Sequence, residues 1–257
     1  MSKKAFAFLA MLLALCVAGS LLLGKYGFSA GDYARYVTAL LRGESLKDFE
    51  VMHTLLLEIR LPRILACVLI GASLSISGAA YQAMFVNPLV SPSILGVLSG
   101  AGFGAAVGMF FKLNEYLIQL STFGFGFLAV AVALGISALY SRSGSVIVLV
   151  LGGVISGSLF TSLLSVLKYA ADPSDALPAI TYFLMGSLGF ASKSFIQISI
   201  LPMCAGVLLL ALSGKYLNAL SLGEEEAKSL GVNVARVKIF IILAATFVSA
   251  LSVTIAG

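Results

Sequence analysis

The sequence predicts an all-α membrane protein, a polytopic bundle of transmembrane helices, and three observations support this. Hydrophobic residues make up 60% of the 257 positions and charged residues 11%, against about 45–50% and about 25% in soluble domains. The apolar runs are about 20 residues long, which at 1.5 Å per residue matches the hydrocarbon core of a bilayer. Alternating segments of about ten residues, typical of a β-barrel, are absent from the sequence. We therefore expect one transmembrane domain over residues 1–257.

Hydropathy divides the chain into seven predicted spans. They cover residues 5–24, 64–85, 93–111, 118–139, 146–168, 195–213 and 235–256. Lys3 and Lys4 precede the first span, and we place them in the cytoplasm; apart from the long connection 25–63, seven Lys and Arg side chains then lie inside and three outside. Residues 86–92, 140–145 and 214–234 then lie on the inner side of the membrane. The prediction is a multi-pass protein whose contacts are membrane lipid and other proteins.

The first outer connection, residues 25–63, is too polar to span the membrane. A helical pattern runs from Ser29 to Leu41, with Ser29 or Asp32 at the N-cap position, and predicts a helix on the membrane surface. His53 is the only histidine. No second His, Cys or carboxylate accompanies it at ligand spacing, so we predict a solvated side chain and no metal site.

Two arginines, Arg60 and Arg63, stand where this connection meets the second span. No Asp, Glu, Lys, Arg or His follows them from Ile64 to Phe111. From these residues alone, the pair is best explained as interfacial side chains that snorkel toward the polar boundary. A docking site for an anionic partner is the alternative, because a guanidinium can hold a carboxylate through two parallel hydrogen bonds.

Proline and glycine punctuate the uncharged run. Asn87-Pro88 and the later Pro92 predict a tight inner turn, because each proline biases its preceding residue away from helix. Small residues then recur every fourth position on the third span, a pattern that lets neighbouring helix backbones approach closely. These positions are Gly96, Gly100, Gly104 and Gly108. We interpret them as helix-packing residues.

The inner segment from Tyr216 to Gly231 predicts a short amphipathic helix at the cytoplasmic face. Ser221-x-x-Glu224 has the pattern of a capping box, and the acidic residues that follow suit the positive end of a helix dipole. Gly231 stands where a helix would stop. The residues themselves fit a docking helix and a solvated connection between two spans equally well.

Several chemistries are absent from the sequence. No GxxxxGK[ST] phosphate loop occurs, so the chain is not expected to hydrolyse ATP, and we predict no catalytic residues. No carboxylate or histidine lies within a predicted span, which disfavours an ion-coupled carrier. The net charge of +5 comes without a basic run or interleaved aromatic residues, so nucleic acid is not an expected partner.

Three motifs follow one another in the chain and resemble those of one family. They are Arg60-Leu61-Pro62-Arg63 with Asn87-Pro88-Leu89, then Met185-Gly186-Ser187-Leu188, and then Leu222-Gly223-Glu224 with Ala227, Leu230 and Gly231. The resemblance is to the FecCD-type permeases of ABC importers for iron-siderophores, haem and cobalamin. Members typically have about ten spans, so the resemblance implies about seven of them here, without the C-terminal helices of the family.

The resemblance also implies a set of partners and roles. Arg60 and Arg63 would dock an extracytoplasmic substrate-binding protein. The segment Leu222, Gly223, Glu224, Ala227, Leu230 and Gly231 would form a coupling helix on a separate ATPase, which binds ATP and magnesium, so this chain itself holds no cofactor. Two permease subunits, identical or different, would form the path, largely from the second and fifth spans. On the second span we predict the lining residues Ser73, Ser77, Ala80, Gln82 and Met84.

The function expected from this resemblance is ATP-driven inward transport of a metal chelate in a prokaryotic cell membrane. Iron(III)-siderophore is the first expected cargo, and haem, cobalamin and molybdate are further candidates. Two other hypotheses stay open at this point. One is a stand-alone secondary carrier or channel, and the other is a partial permease that does not transport.

Overall fold

The computed structural model describes residues 3–24, 26–43, 45, 47–140, 146–190 and 193–257. These residues form an all-helical bundle with short 3₁₀ turns between some of the helices. The α-helices are α1 (Lys3–Leu22), α2 (Ala30–Arg42), α3 (Glu50–His53), α4 (Leu61–Phe85), α5 (Val97–Phe110), α6 (Glu115–Tyr140), α7 (Val146–Ala170), α8 (Ala176–Leu184), α9 (Lys193–Leu212), α10 (Gly214–Leu220), α11 (Glu224–Ser229) and α12 (Val234–Ala256).

Within the described residues, six helices are long and apolar enough to cross a membrane. They are α1, the continuous helix Lys47–Phe85, α6, α7, α9 and α12. They correspond to six of the seven predicted spans. The second span starts earlier than predicted, because the π-helical segment Thr54–Arg60 joins α3 to α4 without a break. The inner connection 141–145 lies outside the described residues.

The third predicted span, residues 93–111, is an interrupted helix. A 3₁₀ turn, Pro92–Leu95, precedes α5, and Gly96 between them has a φ of 79°. The 14 residues of α5 rise about 21 Å, short of the roughly 30 Å core. Gly96 lies against the backbone of Gly157 on α7, where an added Cβ would be 3.0 Å from the Gly157 nitrogen. Irregular backbone at membrane depth is tolerated here because α7 covers it.

The other glycines of the predicted packing face lie between α5 and α6. A Cβ at Gly100 would overlap the carbonyl oxygen of Phe125, and a Cβ at Gly104 would overlap that of Ser121. The Ser121 hydroxyl donates to the Gly104 carbonyl at 2.7 Å, so the close approach also creates an interhelical hydrogen bond. Gly108 likewise faces the backbone of α6, with Ile118 Cα 2.9 Å from the position of an added Cβ.

The main core lies where α4, α9 and α12 meet the inner helices α10 and α11. Tyr81, Leu210 and Ile241 are fully buried there, and so is Ala227 of α11. This cluster also contains Val130 from α6, so it ties most of the long helices together. α12 is its main contributor, in keeping with the burial of most of its apolar face.

The outer segment 26–60 folds around an aromatic cluster of its own. Ser29 caps α2 through a capping box with Asp32, as the sequence predicts. The cluster consists of the buried residues Tyr36, Met52 and Leu56, with Phe28, Tyr33 and Phe49 packed against them. His53 is half-buried rather than solvated, and its Nδ1 lies 2.9 Å from the Tyr36 hydroxyl. The hydroxyl satisfies the imidazole nitrogen, which corrects the predicted surface role.

The short helix α8 lies at the outer boundary. Its nine residues bury Ala176, Ile180 and Phe183. Lys112, just after α5, forms an ion pair of 2.5 Å with Asp175 at the start of α8. After α8, the backbone nitrogen of Ser187 donates to the carbonyl of Ala256 at 2.6 Å. The segment that contains α8 therefore begins and ends on the same side of the bundle.

Candidate functional site

The two predicted docking arginines have different surroundings. The Arg60 guanidinium is half-buried and donates to the carbonyl oxygens of Leu21 at 2.7 Å and Tyr26 at 2.6 Å. It also reaches the hydroxyl of Tyr33 at 3.2 Å. Leu21 lies in the last turn of α1, whose carbonyls have no partner within the helix. Arg60 therefore closes the end of α1 from a position 39 residues along the chain.

Arg63, one turn further along α4, is exposed. It makes no hydrogen bond or ion pair to another residue in the part of the chain that the structure describes. The exposed side of α4 below it carries small or polar residues, including Cys67, Gly71 and Ser75. Of the two guanidiniums, that of Arg63 is available to an incoming carboxylate, whereas that of Arg60 is already bonded.

The predicted inner helix forms, but its start differs from the prediction. The N-cap of α11 is Gly223, with a φ of 119°, and the Ser221 hydroxyl donates instead to the Asn218 carbonyl at 2.7 Å. The capping box fails because α10 extends to Leu220 and leaves Ser221 at its C-terminal end. Gly231 has a φ of 79° at the expected stop position.

One side of α11 packs against the bundle, and its other side is exposed on the inner side. Ala227 is fully buried in the main core, and Glu224 forms an ion pair with Lys238 of α12. Leu222 and Leu230 flank the helix and are 64% and 63% exposed. Two exposed leucines beside a fixed helix form a small apolar surface that could bind a partner on the inner side.

Four of the five predicted path residues lie inside the bundle of this chain. Ser73, Ser77 and Ala80 are fully buried, and Met84 is 2% exposed. The Ser77 hydroxyl donates to the Ser73 carbonyl at 2.7 Å and lies 3.3 Å from the Ser249 hydroxyl of α12. The polar face of α4 thus packs on α12, where hydroxyls find partners. Gln82 is exposed.

The inner turn takes the form that the prolines indicate. Val86 ends α4 with a φ of 48°, and the side-chain oxygen of Asn87 accepts a hydrogen bond from the Leu89 nitrogen at 2.9 Å. Pro92 begins the 3₁₀ turn that precedes α5. The turn exposes Leu89 almost fully, at 89%.

A hydroxyl-lined groove lies on α7, the fifth predicted span, and the sequence analysis did not single out its residues. Ser158, Thr161, Ser162 and Ser165 are exposed on a helix that is otherwise apolar. The groove has a volume of about 500 Å³, and Ser93 and Ile94 of the 3₁₀ turn form its other wall. Thr161 donates to the Gly157 carbonyl at 2.8 Å, so its hydroxyl is held at the groove wall. The sequence signal was present, since hydroxyls spaced three or four residues apart share one helix face.

The groove offers hydrogen bonds without charge. Gly153 and Gly157 also line it, and their lack of side chains lets the turn that carries Ile94 and Gly96 pack directly on α7. No group of three or more His, Cys, Asp or Glu side chains that could hold a metal occurs among the described residues. The arrangement suits a large solute that contacts the wall briefly through hydroxyls.

Comparison with known proteins places these features in a family. The model of the FecCD transport family matches residues 12–257. The molybdate import system permease protein MolB of Haemophilus influenzae is 35% identical over 251 residues, which cover 97% of this chain and 73% of MolB. The vitamin B12 import system permease protein BtuC of Escherichia coli O157:H7 is 32% identical over 97% of this chain and 70% of BtuC.

A solved structure gives the same result for the fold. A protein described as a metal-chelate type ABC transporter in an inward-facing conformation is 34% identical, with a TM-score of 0.85. The match covers 100% of this chain and 77% of that chain. The arrangement of helices reported above is therefore similar to that of a transporter along the whole of the sequence.

Proposed function

The chain belongs to the FecCD transport family, and from this premise we propose that it is the permease subunit of a binding-protein-dependent ABC importer. It is a multi-pass protein of the cell membrane. It pairs with a second permease subunit, which is identical or related, and takes its energy from a separate ATPase that binds ATP and magnesium. This chain carries the cargo and does no chemistry on it.

The observation that carries the proposal is the construction of α11. A coupling helix must present apolar side chains to the ATPase and must also move with the spans. Leu222 and Leu230 meet the first requirement, because both are mostly exposed. Ala227 in the core and the ion pair from Glu224 to Lys238 meet the second. Closure of the ATPase would then displace α12 together with α11.

We place the path on the hydroxyl face of α7 rather than on the buried face of α4. A path that releases its cargo needs weak, neutral contacts, and Ser158, Thr161 and Ser162 provide them. Gln82 keeps its proposed role because it lies on the exposed side of α4. The second permease subunit forms the other side of this path, as the family resemblance implies.

For the cargo, we propose a bulky metal complex, with iron(III)-siderophore tested first and haem and cobalamin next; the small oxyanion molybdate is tested last. The relatives named above import molybdate and vitamin B12, so the family allows cargoes of different size. An uncharged hydroxyl groove of about 500 Å³ suits a large complex whose charge is already shielded by its ligands. Selection among cargoes belongs to the binding protein, which we propose docks at Arg63, with Arg60 beside it fixing the end of α1.

The experiment tests α11 by a double substitution. We expect Leu222→Glu/Leu230→Glu to reduce copurification of the partner ATPase by at least about tenfold. Each leucine would lose roughly 1.5–3 kcal/mol of burial at the contact. Copurification and cargo-stimulated ATP hydrolysis in liposomes are the two measurements.

The matched control is Leu89→Glu, which places the same charge at an exposed leucine of the inner turn. It should leave the ATPase bound. If the α11 double variant also retains the ATPase and the stimulated hydrolysis, then α11 is a connection between spans and the coupling proposal fails.

A further inference from the structure

An apolar groove runs along the surface of the bundle between α9 and α12. Its floor includes Phe127 of α6, and its volume is about 400 Å³. Two small residues of α9 line it: Ala205 is exposed, and Gly206 packs closely on Val248 of α12. Its apolar lining is completed by Pro202, Leu209, Phe240, Leu243, Ala244 and Phe247.

The groove continues to the inner boundary, where its lining becomes basic. A second cavity of about 500 Å³ shares Leu209 and Phe240 with the first, so the two form one continuous groove. Lys215 and Arg236 line this inner end, beside Tyr216. The Lys215 ammonium lies 4.9 Å from the centroid of the Tyr216 ring.

These two cations differ from their basic neighbours. Lys228 forms an ion pair with Glu225 at 2.7 Å, and the hydrogen bond and charge of Glu225 raise the pKa of Lys228. Lys238 is paired with Glu224. Lys215 and Arg236 are exposed and form no ion pair within the described part of the chain. Of these four cations, the two that form no ion pair with a carboxylate are therefore the two that line the groove.

The dimensions of the groove fit one leaflet. From Arg236 to Phe247 the axis of α12 rises about 16 Å, roughly half of a 30 Å hydrocarbon core. An anionic phospholipid has the same order of groups, with a phosphate at the boundary and an acyl chain over that depth. Basic pockets between helices on the cytoplasmic side attract such headgroups, and burial of the acyl chain adds apolar contact.

We propose that this groove binds one anionic phospholipid of the inner leaflet, with its phosphate between Lys215 and Arg236 and an acyl chain along α9 and α12. The site goes beyond transport and rests on the membrane orientation used for the proposed function. A lipid held there contacts α10 and α12 on either side of α11, so it would steady the inner helices against the bundle.

The test is native mass spectrometry of the full chain in detergent, with phosphatidylglycerol and phosphatidylethanolamine of identical acyl chains. We expect phosphatidylglycerol adducts to dominate and Lys215→Gln/Arg236→Gln to reduce them about tenfold, since each cation contributes to headgroup attraction. The charge-matched control, Lys4→Gln/Lys228→Gln, removes two cations outside the groove and should retain the adducts. Ala205→Trp should reduce them by filling the apolar part.

Three results would overturn the proposal. Equal binding of the two lipids would show that the headgroup is not recognised. Equal loss in the groove variant and its charge-matched control would show general attraction to a basic surface. Unchanged lipid binding in the Lys215→Gln/Arg236→Gln protein would show that these two cations do not hold the headgroup. The measurement needs neither ATPase nor cargo, so its failure and failure of the proposed function are distinguishable.

Discussion

The outer segment 26–60 and the inner segment 213–233 both connect spans, yet they are attached to the bundle in different ways. The outer segment packs around its own aromatic cluster. The inner segment contributes Ala219, Leu220 and Ala227 to the main core of the bundle. The outer cluster is joined to the bundle through Met52 and Leu56 of the continuous helix Lys47–Phe85, whereas the inner segment is packed into the main core itself. This difference fits a receiving surface outside and a lever inside.

The largest effect is expected for a variant that detaches the inner segment from the main core. Ala227→Asp would bury a carboxylate in the main core without a partner, at a cost of roughly 3–5 kcal/mol. We expect a marked loss of monodisperse protein and a lower midpoint in a size-exclusion thermal assay. The outer counterpart is Ala39→Asp, at a position 4% exposed in α2.

This outer variant should release α2 to limited proteolysis while the midpoint of the bundle stays close to that of the unmodified chain. Equal midpoints for the Ala227→Asp and Ala39→Asp proteins would remove the proposed difference between the two segments.

A smaller effect separates the two arginines of the outer side. Arg60→Ala leaves the carbonyls of Leu21 and Tyr26 without their charged donor, so we expect a loss of about 2 kcal/mol and faster proteolysis after α1. Arg63→Ala should leave stability within about 0.5 kcal/mol, because its side chain is exposed.

For docking of the binding protein, we expect the opposite order, with Arg63 contributing more than Arg60. Charge reversal at Arg63 is expected to weaken capture of the binding protein, more strongly at low salt than at high salt, because exposed charges are screened. Binding that is unaffected at low ionic strength would count against docking at Arg63. A loss of stability in Arg63→Ala as large as in Arg60→Ala would contradict the different roles inferred for the two side chains.

The smallest expected effect compares two ion pairs. Glu224 and Lys238 are 35% and 12% exposed, whereas Asp32 and Arg35 of the outer pair are 37% and 72% exposed. We expect a double-mutant cycle with Glu224→Gln and Lys238→Gln to give a coupling of about 1 kcal/mol in thermal unfolding. The cycle with Asp32→Asn and Arg35→Gln should give none beyond experimental error. A larger coupling for Asp32 and Arg35 than for Glu224 and Lys238 would mean that the Glu224–Lys238 pair does not hold α11.

The sequence predicted the spans well because length and apolar character decide whether a helix can cross a bilayer. It did not predict which face of a span is buried. The exposed surface of α4 carries Ser75 and the surface on α12 carries Ser73 and Ser77, so hydroxyls on the helix gave no sign of which surface is buried. The hydroxyl spacing at Thr161 and Ser165 was visible in the sequence, but both hydroxyls donate to carbonyls four residues earlier, so the spacing alone does not say what their face contacts.

Long-range contacts set the remaining limits of the prediction. Arg60 acts on carbonyls 39 residues earlier in the chain, and local patterns carry no information about such a distance. The capping box at Ser221 failed because the end of α10 already uses that residue. Gly96 was correctly assigned to close packing, but its partner is α7 rather than α6, since its left-handed backbone turns the chain there.

The short helix α5 has a consequence for how the chain is made. Alone, its 14 residues are too few to settle across a bilayer. It is followed after four residues by α6, and the glycine contacts join the two helices along their length. During synthesis we therefore expect α5 to wait at the insertion machinery until α6 has emerged, so that both partition into lipid as one hairpin. A bulky residue at Gly104 would then reduce the yield of inserted protein before it affected any later step.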